Sequence, residues 1–173
     1  MKNSTFGGVA AAISIFGMSA MAVAQDAPSA PVGVSFRVGG FFPIDTAARD
    51  SGSTWFGFGA QAKILHLGAV TVGDKSMGAN LELSIDYFGR NQFSNTPILA
   101  NYVVRTSSLF YSAGAGIGFM RTPDESRGQF AYQVGVGYQF GGYSPTPFFM
   151  EAKFWGCQDT RLNGFGIYAG VRL

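Results

Sequence analysis

Large apolar residues alternate strictly with small or polar ones in the segment FAYQVGVGYQF, residues 130–140. One parity holds Phe130, Tyr132, Val134, Val136, Tyr138 and Phe140, and the other holds Ala131, Gln133, Gly135, Gly137 and Gln139. Successive side chains of a β-strand point to opposite faces of the sheet. The segment is therefore predicted to be a strand with one apolar face and one face of glycine and glutamine.

The same alternation recurs along most of the chain, between clusters of Gly, Pro, Asp, Asn and Ser. It predicts about eight strands, at residues 32–42, 54–64, 78–90, 100–105, 109–121, 130–140, 147–155 and 163–173. Residues 65–77 could extend either the second or the third strand, and residues 106–108 must form a very tight turn. An even number of strands brings both chain ends to one side, which favours an all-β, closed, antiparallel up-and-down barrel.

Residues 1–24 have the pattern of a secretory signal peptide. Lys2 is the only charged residue before Asp26, and Ala22 and Ala24 have the A-x-A spacing that precedes a cleavage site, here before Gln25. The intervening run is rich in Gly, Ala and Ser and holds no strongly apolar stretch of about 18 residues, which disfavours a membrane anchor. We expect a signal peptide at 1–24, a short lead-in at 25–31 and one barrel domain at 32–173.

The composition is unusual for a soluble domain. Charged residues make up 13% of the chain, against about 25% in typical soluble proteins, while 25 of 173 residues are glycine and 15% are aromatic. A soluble barrel would need more charge on its outer surface. The net charge of +2 and the lack of a basic run in the sequence disfavour nucleic acid as a partner.

The charged residues fall on the parity opposite to the apolar one, among many glycines. If this parity faced water, its surface of Gly, Ser and Ala would be poorly solvated. If it faced inward, it would suit an eight-stranded barrel, whose lumen is just wide enough for side chains to fill. The apolar face is thus expected outside, as in a transmembrane barrel. The lumen is expected to be filled by a polar salt-bridge network of Arg37, Lys63, Glu82, Asp86, Arg105, Glu151, Lys153 and Arg172. Within it, the predicted register flanks Glu82 with Lys63 and Arg105.

Aromatic residues on the apolar parity fall near the two ends of the predicted strands, with Val, Ile, Leu and Ala between them. Two such girdles mark the interfaces of a membrane barrel. One predicted girdle comprises Tyr87, Phe119, Phe130, Tyr132, Phe154 and Phe165, and the other comprises Tyr102, Tyr111, Tyr138, Phe140 and Phe148. An alternative remains, in which the apolar face lies inside a soluble, lipocalin-like carrier around an apolar ligand.

Over residues 32–173 the sequence resembles the small outer-membrane β-barrels of the OmpA transmembrane domain, OmpX and opacity-protein type. The resemblance rests on the signal peptide, the strand spacing, glycine-rich strands such as YSAGAGIGF and YQVGVGYQF, and the terminal YAGVRL. It implies the outer membrane of a Gram-negative-type bacterium, contact with outer-membrane lipid and lipopolysaccharide, and insertion by the assembly machinery through the C-terminal strand. That strand usually ends in Phe in these proteins; here Leu173 replaces it.

Catalysis is not expected from this sequence. Lipid A deacylases and acyltransferases on this architecture need an outward Ser, His and acid, and the single histidine, His66, has no such companions on its parity. No metal or cofactor motif is present in the sequence, and the single cysteine, Cys157, is expected to be an unpaired thiol. The expected role is non-enzymatic, structural or surface-interacting, with any external ligand bound through loops at residues 43–53, 91–99, 122–128 and 156–162; a lipid-modifying enzyme is the alternative.

Overall fold

The computed structural model describes residues 33–72, 75–140 and 144–173, so the signal peptide and the lead-in expected at 1–31 lie outside the described residues. Each strand pairs antiparallel with the next, and β1 also pairs with β8, which confirms the predicted closed barrel of eight strands. The strands are β1 (Val34–Pro43), β2 (Trp55–Val72), β3 (Lys75–Arg90), β4 (Phe93–Arg105), β5 (Leu109–Arg121), β6 (Ser126–Phe140), β7 (Phe148–Cys157) and β8 (Gly164–Arg172).

Two short helices lie in the connections at one end of the barrel: α1 (Thr46–Asp50) between β1 and β2, and a 3-10 helix (Thr160–Leu162) between β7 and β8. We call this the loop end, and the opposite end, where β1 begins and β8 finishes, the terminal end. Among the described residues, no helix is long and apolar enough to cross a membrane.

The first and last strands close the ring through a continuous ladder from the pair Ser35 and Arg172 to the pair Pro43 and Gly164. At its terminal end the ladder is completed by two backbone hydrogen bonds, in which Gly33 N–H donates to the Leu173 carbonyl at 2.9 Å and Leu173 N–H donates to the Val34 carbonyl at 2.7 Å. Closure leaves no long free edge in the ring itself.

Strand β4 begins seven residues earlier than the sequence predicts, at Phe93 instead of residue 100. The predicted loop at residues 91–99 is therefore wrong, because only Asn91 and Gln92 separate β3 from β4. The turn is this short because Asn91 adopts φ 52°, a left-handed conformation that Asn tolerates. Pro97 concealed the strand: it keeps its place opposite Gly118 of β5, while the pairing with β3 is interrupted beside it.

The hairpin of β2 and β3 extends beyond the rest of the barrel at the terminal end. Pairing of β1 with β2 stops at Ala62, and pairing of β4 with β3 starts at Gly78, whereas β2 and β3 continue to pair as far as Val72 and Lys75. Residues 65–72 thus extend β2, and residues 75–77 extend β3. Two irregularities interrupt this extension, and at the second Gly68 takes φ 98°, a backbone conformation that favours glycine.

The interior is filled in layers. A polar and ionic layer occupies the middle, a small apolar group (Val103, Phe110 and Phe149) lies toward the terminal end, and an aromatic layer lies toward the loop end. The aromatic layer contains Phe41, Trp55, Phe88, Phe93, Trp155 and Tyr168. Ala48 of α1 and Leu162 of the 3-10 helix, both fully buried, cover it. The prediction of a lumen filled by polar side chains and glycine is therefore wrong at the loop end.

The aromatic layer depends on glycines that face it. At Gly57 a Cβ would lie 3.0 Å from two ring carbons of Tyr168, whereas at Gly78, near the terminal end, it would meet no atom within 4 Å. We expect Gly57→Ala to lower the free energy of unfolding by about 1–3 kcal/mol, because the ring must shift within a packed core. The matched change Gly78→Ala should stay within about 0.5 kcal/mol.

Equilibrium denaturant unfolding of both variants measures this difference. Equal unfolding free energies for the two variants would contradict the packing of Tyr168 against Gly57.

Candidate functional site: the lumen network and the loop surface

Arg37 of β1 is the centre of the ionic layer. Its Nε and Nη2 donate to the two carboxylate oxygens of Asp86 at 2.7 Å each, and its Nη1 donates to Gln61 at 2.8 Å. Oε1 of Glu151 on β7 lies 3.2 Å from Arg37 Nε and 3.5 Å from Lys153 Nζ. All these side chains are buried. Two cations and two carboxylates therefore form a charge-balanced group that spans the barrel from β3 to β7. Removal of one cation or one carboxylate would leave a buried charge without its partner.

Glu82 of β3 is the centre of a second ionic group, closer to the terminal end. Arg105 reaches both of its carboxylate oxygens at 3.1 Å, and Arg172 of β8 reaches Oε1 at 3.2 Å across the lumen. Gln61 joins the two groups, because its amide donates to Glu82 at 2.6 Å while its carbonyl accepts from Arg37. The inward charges thus belong to one continuous network.

Seven of the eight predicted lumen residues lie in this network, and Lys63 does not. It lies opposite Glu82 in the β2–β3 register, as expected, but its side chain is exposed at the rim, where β2 passes the last residues of β1. The first irregularity of β2 begins there. The expected flanking of Glu82 by Lys63 is therefore wrong, and Arg172 takes that place.

A neutral hydrogen-bonded group continues the polar layer across β3 to β6. The Asn101 amide donates to Ser84 at 2.9 Å, and the Gln133 amide donates to Asn101 at 2.6 Å and to Ser112 at 3.2 Å. Sequence reasoning missed this group, although its members share the inward parity with the charged residues. Such bonds join the inner faces of four consecutive strands.

The outer face is apolar. All eleven residues of the two predicted girdles lie on it, nine of them exposed and two, Tyr87 and Phe154, half-buried. Near the loop end, rings of β6, β7 and β8 contact one another in sequence, with Tyr132 and Phe154 centroids 6.3 Å apart and Phe154 and Phe165 centroids 5.1 Å apart. Between the girdles lie residues such as Val134, Val136, Ile117 and Ile167. In the part of the chain that the structure describes, no charged side chain faces outward between the girdles.

The loops at the loop end are held by hydrogen bonds rather than left open. Arg161 donates to Asp159 at 2.9 Å and, across to the β5–β6 connection, to Asp124 at 2.9 Å. The Asp45 carboxylate caps α1 by accepting from Ala48 N–H at 3.2 Å. Hydrogen bonding to the Arg161 guanidinium holds the pKa of the Asp159 carboxyl below its usual range.

An open depression of about 430 Å³ lies among these loops, lined by Asp50, Ser51, Asn91, Gln92, Phe93 and Pro123. Asp50, Ser51, Asn91 and Gln92 supply polar side chains to its lining, and Phe93 and Pro123 supply apolar surface. Three of the four predicted external loops contribute to it, at residues 43–53, 91–99 and 122–128, although the second of these is shorter than expected.

His66 and Cys157 belong neither to the ionic network nor to the lining of the depression. His66 is exposed on the projecting part of β2, with Nδ1 3.0 Å from the Asn80 amide oxygen. Cys157 is a buried free thiol at the end of β7. Among the described residues, no group of three or more His, Cys, Asp or Glu side chains could hold a metal ion.

No family model matches this chain, and neither does any curated protein. The fold is similar to the solved structure of the outer membrane enzyme PagL, with 14% sequence identity, 80% of this chain and 96% of that chain covered, and a TM-score of 0.49. It is also similar to the outer membrane protein Ail of Yersinia pestis, with 14% identity, 81% and 98% covered, and a TM-score of 0.43. At such low identity, only this chain's own residues define its site.

We expect Arg37→Met to lower the free energy of unfolding by about 3–5 kcal/mol, because Asp86 and Glu151 would remain buried beside too little positive charge. The control is Arg127→Met, since within the described residues Arg127 forms a single ion pair, an exposed one with Glu125 at 3.5 Å. The expected loss there is below about 1 kcal/mol. Denaturant unfolding measures both. A loss for Arg37→Met no larger than that of the control would contradict the central role of Arg37.

Asp159→Asn is expected to loosen the β7–β8 connection at neutral pH. The Asp159 carboxyl has a lowered pKa in the folded state, against an ordinary value of 3.8; the stability from its ionised form is present above that value and is lost as the pH falls through the folded pKa. The variant and the unmodified protein should therefore differ at neutral pH and converge at a pH below the folded-state pKa of Asp159. Amide hydrogen exchange of residues 158–163 at both pH values measures this, and Asp124→Asn, whose carboxylate side chain is 75% exposed, should have a smaller effect.

Proposed function

We propose that this chain spans the outer membrane of a Gram-negative-type bacterium as a non-enzymatic barrel with a structural or surface-interacting role. The observation that carries the proposal is the outer face. Among the described residues, 27 large hydrophobic side chains are exposed, most of them on this face, which is far more than the surface of a soluble monomer tolerates in one continuous region. Hydrocarbon is the solvent in which such a surface is stable.

The distribution of outer side chains fits a bilayer in detail. The two aromatic girdles enclose a band of aliphatic residues, and the exposed arginines of the described strands, Arg90, Arg121 and Arg127, lie at the loop end beyond that band. Aromatic rings at the two interfaces and charges outside them are typical of membrane barrels. A soluble carrier would need the opposite arrangement, with its apolar face around an internal ligand, and the structure contradicts that alternative because the apolar parity faces outward.

The interior supports a structural role rather than conduction. Buried ion pairs and hydrogen bonds join strands on opposite sides of the barrel, and the aromatic layer with α1 and the 3-10 helix covers the loop end. In an eight-stranded barrel, side chains of this size fill the cross-section.

The loop surface supports a role in recognition. Hydrogen bonds hold the loops in one arrangement, and a binding surface that is already ordered loses less conformational entropy when a partner binds. The depression beside Asn91 and Phe93 is the site we assign to an external ligand. Outer-membrane lipid and lipopolysaccharide would contact the barrel wall, and the C-terminal strand, ending in Leu173, would be the part recognised during assembly.

The absence of catalysis is part of the proposal. His66 lies on the projecting hairpin, hydrogen-bonded to the amide of Asn80 instead of a carboxylate. Lipid A from cells that carry His66→Ala should therefore have the same acyl chains as lipid A from cells with the unmodified protein, as mass spectrometry would show. Altered acylation in the variant would instead favour the lipid-modifying enzyme.

The membrane assignment is tested by fractionation and by gel mobility with and without boiling in SDS. We expect the protein in the outer-membrane fraction, with a band that changes mobility on heating, because a closed hydrogen-bonded barrel resists detergent until it is heated. A matched sample that carries Arg37→Met should lose the folded band at a lower temperature. Recovery in the soluble periplasmic fraction, without a mobility change, would contradict the assignment.

A further inference from the structure

A small cavity lies in the lumen between the ionic layer and the terminal end. Its volume is about 10 Å³, and its polar lining includes Arg37, Arg105, Arg172, Glu151 and Gln139. A polar cavity of this size holds one particle about as large as a water molecule. Three arginines thus line it, against one glutamate.

The charges of the network do not balance around this cavity. Arg37 and Lys153 are matched by Asp86 and Glu151, but Glu82 is the single carboxylate that contacts both Arg105 and Arg172. Four cations therefore share three carboxylates among the described network residues. A buried charge without a counter-charge is costly, since it has lost the hydration that water would give it.

Arg172 shows where the excess lies. Its side chain is 10% exposed; Nη2 contacts Glu82, while Nε is fully buried and finds no hydrogen-bond partner among the described residues. Arg172 is also one of the residues that line the cavity. An unpaired guanidinium N–H at an electropositive cavity is a donor suited to an anion.

We propose that this cavity binds a monatomic inorganic anion of the halide class, with chloride as the ion available in ordinary media. The negative charge of the ion balances the one cation of the network that has no carboxylate of its own. The ion also fits a cavity that has room for one particle of about the size of a water molecule. Sulfate, phosphate and organic anions are larger than one water molecule and fit this space less well than a halide. The ion would enter from the terminal end, where Arg105 retains an exposed fraction of 17%.

The first experiment is thermal unfolding of the folded full chain in detergent, with sodium chloride exchanged for sodium gluconate at constant ionic strength. We expect the melting temperature to rise with the logarithm of the chloride concentration, by about 3 °C or more over the range. Sodium sulfate should give no rise beyond that seen in gluconate. Equal melting temperatures in chloride and gluconate would overturn the proposal and leave a water molecule in the cavity.

A charge-replacement variant makes the test specific. Gln139→Glu places a carboxylate on the wall of the cavity, so the variant should be stable without chloride and its melting temperature should no longer depend on it. Gln92→Glu adds the same charge on the exposed β3–β4 turn and should keep the chloride dependence of the unmodified protein. Chloride dependence that persists unchanged in Gln139→Glu would overturn the proposal.

A crystal of the unmodified protein soaked in bromide provides a measurement that needs no variant. An anomalous peak within hydrogen-bonding distance of Arg172 Nε supports the site. Ordered bromide elsewhere with water at Arg172 would show an adventitious ion only, and would overturn it.

Discussion

The structure depends on ring closure. Once β1 pairs with β8, every strand of the ring has two neighbours, and the width of the lumen is set by the number and tilt of the strands rather than by the side chains inside it. The inward residues must fill a fixed volume, and their polar atoms must find partners there. The outward residues face only the surrounding solvent. One geometric constraint thus separates the sequence into two faces with different chemistry.

Within that fixed volume, glycine and large side chains are complementary. Tyr168 and Trp155 occupy the space that Gly57 and Gly166 leave free. Gly59, opposite Arg37 in the β1–β2 ladder, leaves room for the Asp86 carboxylate that Arg37 binds. The layers also divide the work. The aromatic layer closes the loop end, while the ionic layer joins strands across the lumen. The charge of the ionic layer is balanced only as far as the few carboxylates in the lumen can reach its cations.

The parity of each strand was predictable, because burial in a barrel repeats every second residue. The assignment of Arg37, Asp86 and Glu151 to the lumen followed from that parity alone. Contacts across the lumen did not: Arg172 meets Glu82 from a strand far away in sequence, and nearest-strand register suggested Lys63 instead. The inward aromatics were missed because Trp55 and Trp155 lie on the inward parity, where most other residues are glycine or charged. Strand β4 was predicted too short because a proline such as Pro97 commonly ends a strand.

The hydrogen bonds of Leu173 with Gly33 and Val34 place the two ends of the described barrel side by side. The chain could therefore begin at a different strand without any change in the order of the eight strands around the ring. A short linker between these ends, with new termini opened at the exposed β3–β4 turn, would preserve every strand pair. The seam between β1 and β8 would then be an ordinary hairpin, and the barrel would be a circular permutant of itself.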